Sequence, residues 1–252
     1  MKKQGTVLVT GGSRGLGAVI AKQFGEKGYQ VIVNYFKSEQ KAFQVVEGIG
    51  KDHAVAIKAD VRDKQQVEMM VEKAVKQFGP IDIIVNNALI NFEFNPLTQG
   101  KVEDLTWENY NEQLEGTIQS SLNTIQAVLP EMKKNQYGRV INIGTNLFQN
   151  PVVPYHQYTT AKAALIGFTR NMAKELGAYN ITVNMVSGGL LEKTDASAVT
   201  TPEVFEMIAA SSALNRVTEP ADLAEVVVFL GSESSRGVTG QNIVVDSGLT
   251  MN

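Results

Sequence analysis

Tyr158 and Lys162, in the run Tyr158-Thr159-Thr160-Ala161-Lys162, are the side chains whose types and spacing most readily do chemistry. The run lies in a stretch of helical period, where a spacing of four puts both side chains on one face, about 6 Å apart. A free phenol titrates near a pKa of about 10 and is a poor acid–base at neutral pH. An ammonium beside it favours the phenolate, so the expectation is a tyrosine of lowered pKa. Reducing a carbonyl requires a proton on oxygen as hydride reaches carbon, and an activated tyrosine supplies one. Such pairs also occur in helices that only pack, so their weight depends on what else the chain carries.

A second constellation is Thr10-Gly11-Gly12-Ser13-Arg14-Gly15-Leu16-Gly17, placed directly after an apolar strand-like run. Leu16, Val19, Ile20 and Phe24 follow it at helical spacing. Glycines let a chain turn tightly against a pyrophosphate, and the helix N-terminus behind them offers free N–H groups and a positive dipole end. No Gly-Lys-Ser/Thr follows, which argues against a P-loop. The next strand ends Val33-Asn34-Tyr35-Phe36-Lys37, without the acidic residue that binds a ribose 2′-hydroxyl. With Arg14 and Lys37 nearby, this favours a 2′-phosphate, hence NADP(H) over NAD(H). Asp60-Val61 closes the third strand where an adenine ring would lie.

The elements that must position these residues alternate regularly. Strands are expected at Thr6–Thr10, Gln30–Asn34, Ala54–Ala59, Ile81–Val85, Arg139–Ile143, Thr182–Val186 and Asn242–Val245. These runs are short, apolar and barely alternating, as strands buried on both faces of a parallel sheet are. Helices are expected at Asp63–Phe78, Thr106–Lys134 and about Tyr155–Gly177. In the second, Leu114, Ile118, Leu122, Ile125, Leu129 and Met132 form one apolar face, with Gly116 and Pro130 as points of bending. The fold class expected is α/β: one Rossmann domain over 1–252, a doubly wound parallel sheet of about seven strands with helices on both faces. Leu89–Val102 reads as a loop, and Gly188–Arg216 as an insertion and candidate substrate lid. Both follow strand C-termini, the edge where ligands bind in open α/β sheets.

The 252 residues carry a formal charge of -3, which offers nothing to a nucleic-acid backbone. No run of 18 apolar residues is present, so a membrane span is not expected. Cysteine is absent, which removes disulfides, thiolate metal sites and a cysteine nucleophile. The two histidines, His53 and His156, lie far apart, and no metal site is expected. Met1 to Gly5 runs straight into the first strand, leaving no room for a signal peptide, and the cytoplasm is the expected location.

Taken together, these motifs resemble the short-chain dehydrogenase/reductase family, most closely its 3-oxoacyl-carrier-protein-reductase-like branch, over essentially the whole chain. Thr10 to Gly17 fits TGxxxGxG, Asn86-Asn87-Ala88 fits NNA, and Tyr158 with Lys162 fits YxxxK. Val183-Asn184 followed by Gly189, Gly237 to Gln241 and Val245 to Gly248 resemble the family's closing segments. The resemblance implies a hydride-transferring oxidoreductase, commonly a homotetramer, acting on a small carbonyl or an acyl thioester. It implies catalytic roles for Tyr158, Lys162, Thr145 (where the family has serine) and Thr117 (where the family has asparagine). The implied cofactor site comprises Gly11, Ser13, Arg14, Gly15, Leu16, Gly17, Tyr35, Lys37, Asp60, Val61, Asn87, Ala88 and Gly189, shared with Tyr158 and Lys162.

Three departures stand out. Thr145 keeps a hydroxyl but adds a methyl and a stiffer χ1. Thr117 loses an amide from the expected proton relay. Leu89 replaces the glycine after NNA, bringing a branched side chain near the nicotinamide site. They point either to an unusual substrate pocket or to weakened chemistry, so a non-catalytic NADP(H)-binding sensor or scaffold is the alternative. For an acyl carrier, the family docks an acidic partner on basic residues. Here Lys133-Lys134-Asn135-Gln136 is only partly basic and Ala178-Tyr179-Asn180 is neutral.

Overall fold

The computed structural model describes residues 4–92, 94–95, 98–192, 194 and 197–251. Seven strands form one sheet: β1 (Thr6–Val9), β2 (Gln30–Tyr35), β3 (Ala54–Lys58), β4 (Ile83–Asn86), β5 (Gly138–Thr145), β6 (Ile181–Gly188) and β7 (Asn242–Val245). Their order is β3-β2-β1-β4-β5-β6-β7 and every pairing is parallel. The winding therefore reverses between β1 and β4, which opens a crevice above their C-terminal ends. The seven expected strands are all present, most with ends displaced by a residue or two.

Helices α1 (Gly15–Glu26), α2 (Glu39–Ile49) and α8 (Pro220–Gly231) cover one face. There Ile20, Phe24, Leu223 and Val227 pack on Val7, Val9, Val31 and Val33. Helices α3 (Lys64–Phe78), α5 (Ser120–Asn135) and α6 (His156–Leu176) cover the other, where Val67, Met70, Ile125, Val128 and Leu176 meet Leu8, Ile32 and Ile84. Alternate residues of β1 thus feed opposite cores, which is why a strand buried on both faces shows no polar alternation. The start of α3 is fixed by Asp63, whose carboxylate accepts from the backbone N–H groups of Gln65 (2.9 Å) and Gln66 (3.1 Å).

The helix expected over Thr106–Lys134 is present as one continuous run, α4 (Trp107–Leu114), a π turn over Glu115–Gln119 that contains Gly116, and α5, but the expectation of one apolar face along it is corrected. The inward face of α5 near the site is polar, with Ser120, Ser121, Asn123 and Thr124 buried, whereas Leu114, Ile118 and Leu122 are only half-buried. The reason is a ladder of polar side chains beneath the crevice. Thr124 donates to Asn86 (2.7 Å), Asn86 to Asn142 (2.9 Å), and Asn142 to Thr169 (2.9 Å). A buried amide needs such partners, so these positions select Thr and Asn over Leu. Within the expected insertion 188–216, helix α7 (Pro202–Ser211) forms with no buried residue. Of this segment, Lys193, Asp195 and Ala196 lie outside the described residues.

Candidate active site

β5 delivers Thr145 as its last residue, and α6 carries Tyr158 and Lys162 in its first two turns. All three are buried, none more than 7% exposed. Lys162 Nζ donates to the Ile143 carbonyl at 2.7 Å and lies 5.9 Å from the centroid of the Tyr158 ring. Thr145 Oγ1 accepts from the Leu147 N–H at 3.3 Å, leaving the hydroxyl proton to be aimed elsewhere.

Burial pushes the Tyr158 phenol up to about 12, hydrogen bonding from Thr145 opposes this, and the Tyr155 phenol adds to it. Burial lowers the Lys162 ammonium to about 8. The expectation that Lys162 acidifies Tyr158 is therefore corrected. Dehydration of a phenolate costs more than an ammonium already committed to the Ile143 carbonyl returns. The result is a neutral phenol at physiological pH, which is the form a proton donor must start from.

Thr117 sits in the π turn, 5% exposed. It shares a cavity of about 10 Å³ with Lys162, Thr10, Asn86, Ser120 and Ser121, room for a single water among polar groups. The π turn frees carbonyls that the serines then engage: Ser120 Oγ donates to Gly116 O (2.6 Å) and Ser121 Oγ to Thr117 O (2.7 Å). Sequence reasoning found Thr117 and missed both serines, since a serine in a helix ordinarily signals nothing.

The glycine loop forms across the crevice. Gly11 and Gly15 take positive φ (61° and 52°), Ser13 is buried, and Arg14 occupies the extended N-cap position of α1. The Arg14 side chain does not cap the N–H groups that open α1, among them Gly15, Leu16 and Gly17. A Cβ on Gly17 would meet Gly11 O and sit 2.5 Å from Asn87 Nδ2, whereas one on Gly15 would meet nothing within 4 Å. The loop is thus tight underneath and open above, with donors facing outward, and it fits a pyrophosphate.

Asn87 is the clasp of this cradle. Its N–H donates to Thr10 Oγ1 (2.9 Å) and its amide to the Thr10 and Gly11 carbonyls (2.9 and 3.2 Å), while the Ala88 N–H also donates to Thr10 Oγ1 (3.1 Å). Asn34 holds the far side, accepting from Gly11 N–H through its side chain and from Gly12 N–H through its carbonyl.

Tyr35, the last residue of β2, is engaged within the fold. The ring is 5% exposed and the hydroxyl donates to Glu39 at 2.7 Å, which leaves exposed Lys37 as the group at that edge. Asp60 is held by Arg62 through both carboxylate oxygens (2.7–3.2 Å), which keeps its carboxyl below the usual range. The Val61 side chain is buried, and its carbonyl accepts from Asn123 at 3.0 Å. Gly189 lies against Asn146 and Asp246, and Asn146 donates to Asp246 at 3.0 Å.

Sequence reasoning also missed a cluster of rings around Tyr158. In the loop after β4, Phe92 stacks on the Tyr158 ring (centroids 4.8 Å apart, planes at 25°) and Phe94 meets it edge-on at 5.1 Å. Tyr155 meets both phenylalanines edge-on, at 5.3 and 5.7 Å. The signal was the alternation of Phe92 and Phe94 within a segment lacking any other period. Leu89 is 37% exposed, and the next residue, Ile90, fills the space opposite the hydrogen face of Gly116. His53 pairs with Gln30 at 3.1 Å and His156 is the first residue of α6. Among the described residues no group of three or more His, Cys, Asp or Glu could hold a metal, and no helix is long and apolar enough to cross a membrane.

Residues 11–250 match a family model described as enoyl-(acyl-carrier-protein) reductase. The chain is 36% identical, over the full length of both, to a 3-oxoacyl-[acyl-carrier-protein] reductase of Staphylococcus aureus. Among solved structures it is similar to a blue fluorescent protein from a metagenomic library in complex with NADPH, at 33% identity and a TM-score of 0.86, covering 99% of each chain. A mutant of a Serratia marcescens short-chain dehydrogenase/reductase matches at 30% identity and the same TM-score, again over 99% of each.

Proposed function

Because the chain belongs to the short-chain dehydrogenase/reductase family, we propose that it is an oxidoreductase moving a hydride between NADP(H) and a carbonyl or alcohol. The observation that carries the reading is that Thr145, Tyr158 and Lys162 come together at the C-terminal end of β5, in the same sheet whose β1 leads into the glycine loop. NADPH, when bound, supplies the hydride. The groups that would hold it are the free N–H groups opening α1 for its pyrophosphate, Arg14 and Lys37 for a 2′-phosphate, and Asp60 with Val61 beside the adenine. Asn87 and Ala88 would shape the floor, and Gly189 would lie beside the nicotinamide end.

The substrate oxygen accepts from the Tyr158 and Thr145 hydroxyls. As the carbonyl carbon gains hydride, the C=O π pair takes the phenolic proton and the product is an alcohol. Lys162, held by the Ile143 carbonyl, is placed to stabilise the phenolate left behind. The polar cavity at Thr117, Ser120 and Ser121 provides a route by which a water restores the proton.

Several finer points accompany this reading. The substrate is a small carbonyl compound or an acyl thioester. Lys133 lies over the Tyr179 ring at 4.5 Å and Lys134 pairs with Glu131 at 3.3 Å, so neither favours an acidic carrier strongly. Half-buried Ile118 in the π turn and Leu122 on α5 support a homo-oligomer, a tetramer or dimer, and the cytoplasm is the expected location.

The specific observation favouring the non-catalytic alternative is Phe92 lying flat on Tyr158. A screen of NADPH oxidation over ketones, aldehydes, quinones and 3-oxoacyl thioesters separates the two: turnover is expected, and none across the panel contradicts the enzyme reading. NADPH is expected to bind at least about tenfold more tightly than NADH, since a 2′-phosphate gains charge-assisted contacts that a hydroxyl does not. Equal affinities contradict the cofactor assignment.

A further inference from the structure

The chemistry at Tyr158 leaves open what the rest of the substrate touches, and the rings around the phenol bear on that. We infer that Phe92, Phe94 and Tyr155 form a recognition site for a flat aromatic group, so that the substrates of this enzyme are aryl ketones or aryl aldehydes. The inference rests on the reductase reading for its chemistry and on ring geometry for its specificity.

The Tyr158 ring is closely surrounded: Phe92 lies nearly parallel to it at 4.8 Å, Phe94 meets it edge-on at 5.1 Å, and Lys162 Nζ stands 5.9 Å from its centroid. A substrate therefore approaches along the hydroxyl edge, where Thr145 also lies. Substituents on a carbonyl held there extend toward the remaining rings. Phe92 and Phe94 cross at 73° with centroids 5.0 Å apart, and Tyr155 stands edge-on to both, at 83° and 79°. Edge-to-face and offset arrangements are those in which one ring's positive rim meets another's negative face. Rings set this way present both rims and faces, and a further aromatic ring extends the pattern where a flexible acyl chain only fills space.

Charge points the same way. Elsewhere in the molecule cations lie over rings: Lys133 over Tyr179, Arg139 over Tyr137 and Lys37 over Phe36. Among the described residues no cation lies over Phe92, Phe94 or Tyr155. Their faces are hydrocarbon surfaces against which the amides of a pantetheine arm would lose water without gaining partners. Tyr155 is 6% exposed and burial raises its phenol, so it backs the two phenylalanines as a neutral ring.

The test compares two ketones of nearly equal size, acetophenone and cyclohexyl methyl ketone, titrated by ligand-observed NMR with and without NADP+. NADP+ cannot reduce them, so the readout is binding alone. Wild-type protein is expected to bind acetophenone about fivefold to tenfold more tightly than the cyclohexyl ketone, the scale of one or two aromatic contacts. Phe92→Leu and Phe94→Leu keep apolar volume but remove a ring, and each is expected to bring the ratio toward one. A wild-type ratio near one, or a ratio that both variants preserve, overturns the aromatic site. Failure of NADP+ to bind, or of any carbonyl to be reduced with NADPH, counts against the reductase reading. The cofactor-free titration still decides the aromatic site in that case.

Discussion

At the scale of single residues, the account turns on how burial sets two protonation states. Lys162 falls from its ordinary value to about 8 because its ammonium is dehydrated. The unfolded chain therefore binds more protons than the folded one between about pH 8 and the free-lysine value near 10.4, and stability rises with pH across that window. At neutral pH, keeping that ammonium buried costs on the order of a few kcal/mol. Denaturant midpoints of the wild type are expected to climb from pH 8 to 10. Lys162→Met is expected to flatten that climb, to be the more stable protein at pH 7 and to lose turnover. A parallel rise in the variant would assign the effect to other groups. Above about pH 10 the sign reverses for Tyr158, whose raised pKa leaves the folded state holding the extra proton. The proposed reaction uses only the hydroxyl of Thr145, not its methyl. Thr145→Ser is expected to keep activity within a few-fold, and Thr145→Val to lose on the order of 100-fold in kcat with little change in NADPH affinity. An unchanged kcat for the valine variant would remove Thr145 from the reaction. The sequence made the Tyr158 and Lys162 pair legible through a spacing of four. It could not reveal that Ile143 O takes the ammonium, because a carbonyl acceptor has no side-chain signature.

At the scale of elements, the glycine loop and the first helix were readable because each glycine answers a steric demand. Gly17 packs against Gly11 O and Asn87 Nδ2 with no room for a methyl group. Gly17→Ala is expected to shift the loop, weaken NADPH at least about tenfold and cost about 1–3 kcal/mol of stability. Fluorescence titration and thermal unfolding check both, and undiminished affinity would show that the cradle does not hold the nucleotide. The long helix was less legible. Its apolar stripe predicted one continuous buried face, yet the helix widens into a π turn and carries serine, asparagine and threonine inward near the site. Apolar period detects hydrophobic burial, whereas this face is buried as a hydrogen-bonded network centred on Asn86 and Asn142. Phe92 and Phe94 escaped for a related reason: loop residues acquire roles through distant partners, here Tyr155 and Tyr158 more than sixty positions later.

At the scale of the whole molecule, the α/β class, seven strands and single sheet followed from the alternation of short apolar runs with amphipathic stretches. Strands covered on both faces leave few alternatives once crossovers are right-handed. The reversal of winding between β1 and β4 then brings together residues distant in sequence: the loop at Gly11 to Gly17, the clasp at Asn87, and Thr145 with Tyr158. Strand order itself was not legible, since it depends on which buried faces match and no single run encodes that. The claim uniting all of this is that a neutral, buried Tyr158 gives its proton to a carbonyl that receives hydride from NADPH. The direct measurement follows deuterium from C4-labelled NADPH into the alcohol in a single turnover, for the wild type and for Tyr158→Phe. The account predicts label on the carbinol carbon for the wild type, and a rate lower by about 100-fold or more in the variant with NADPH affinity unchanged. Deuterium transfer by Tyr158→Phe within several-fold of the wild-type rate would contradict it.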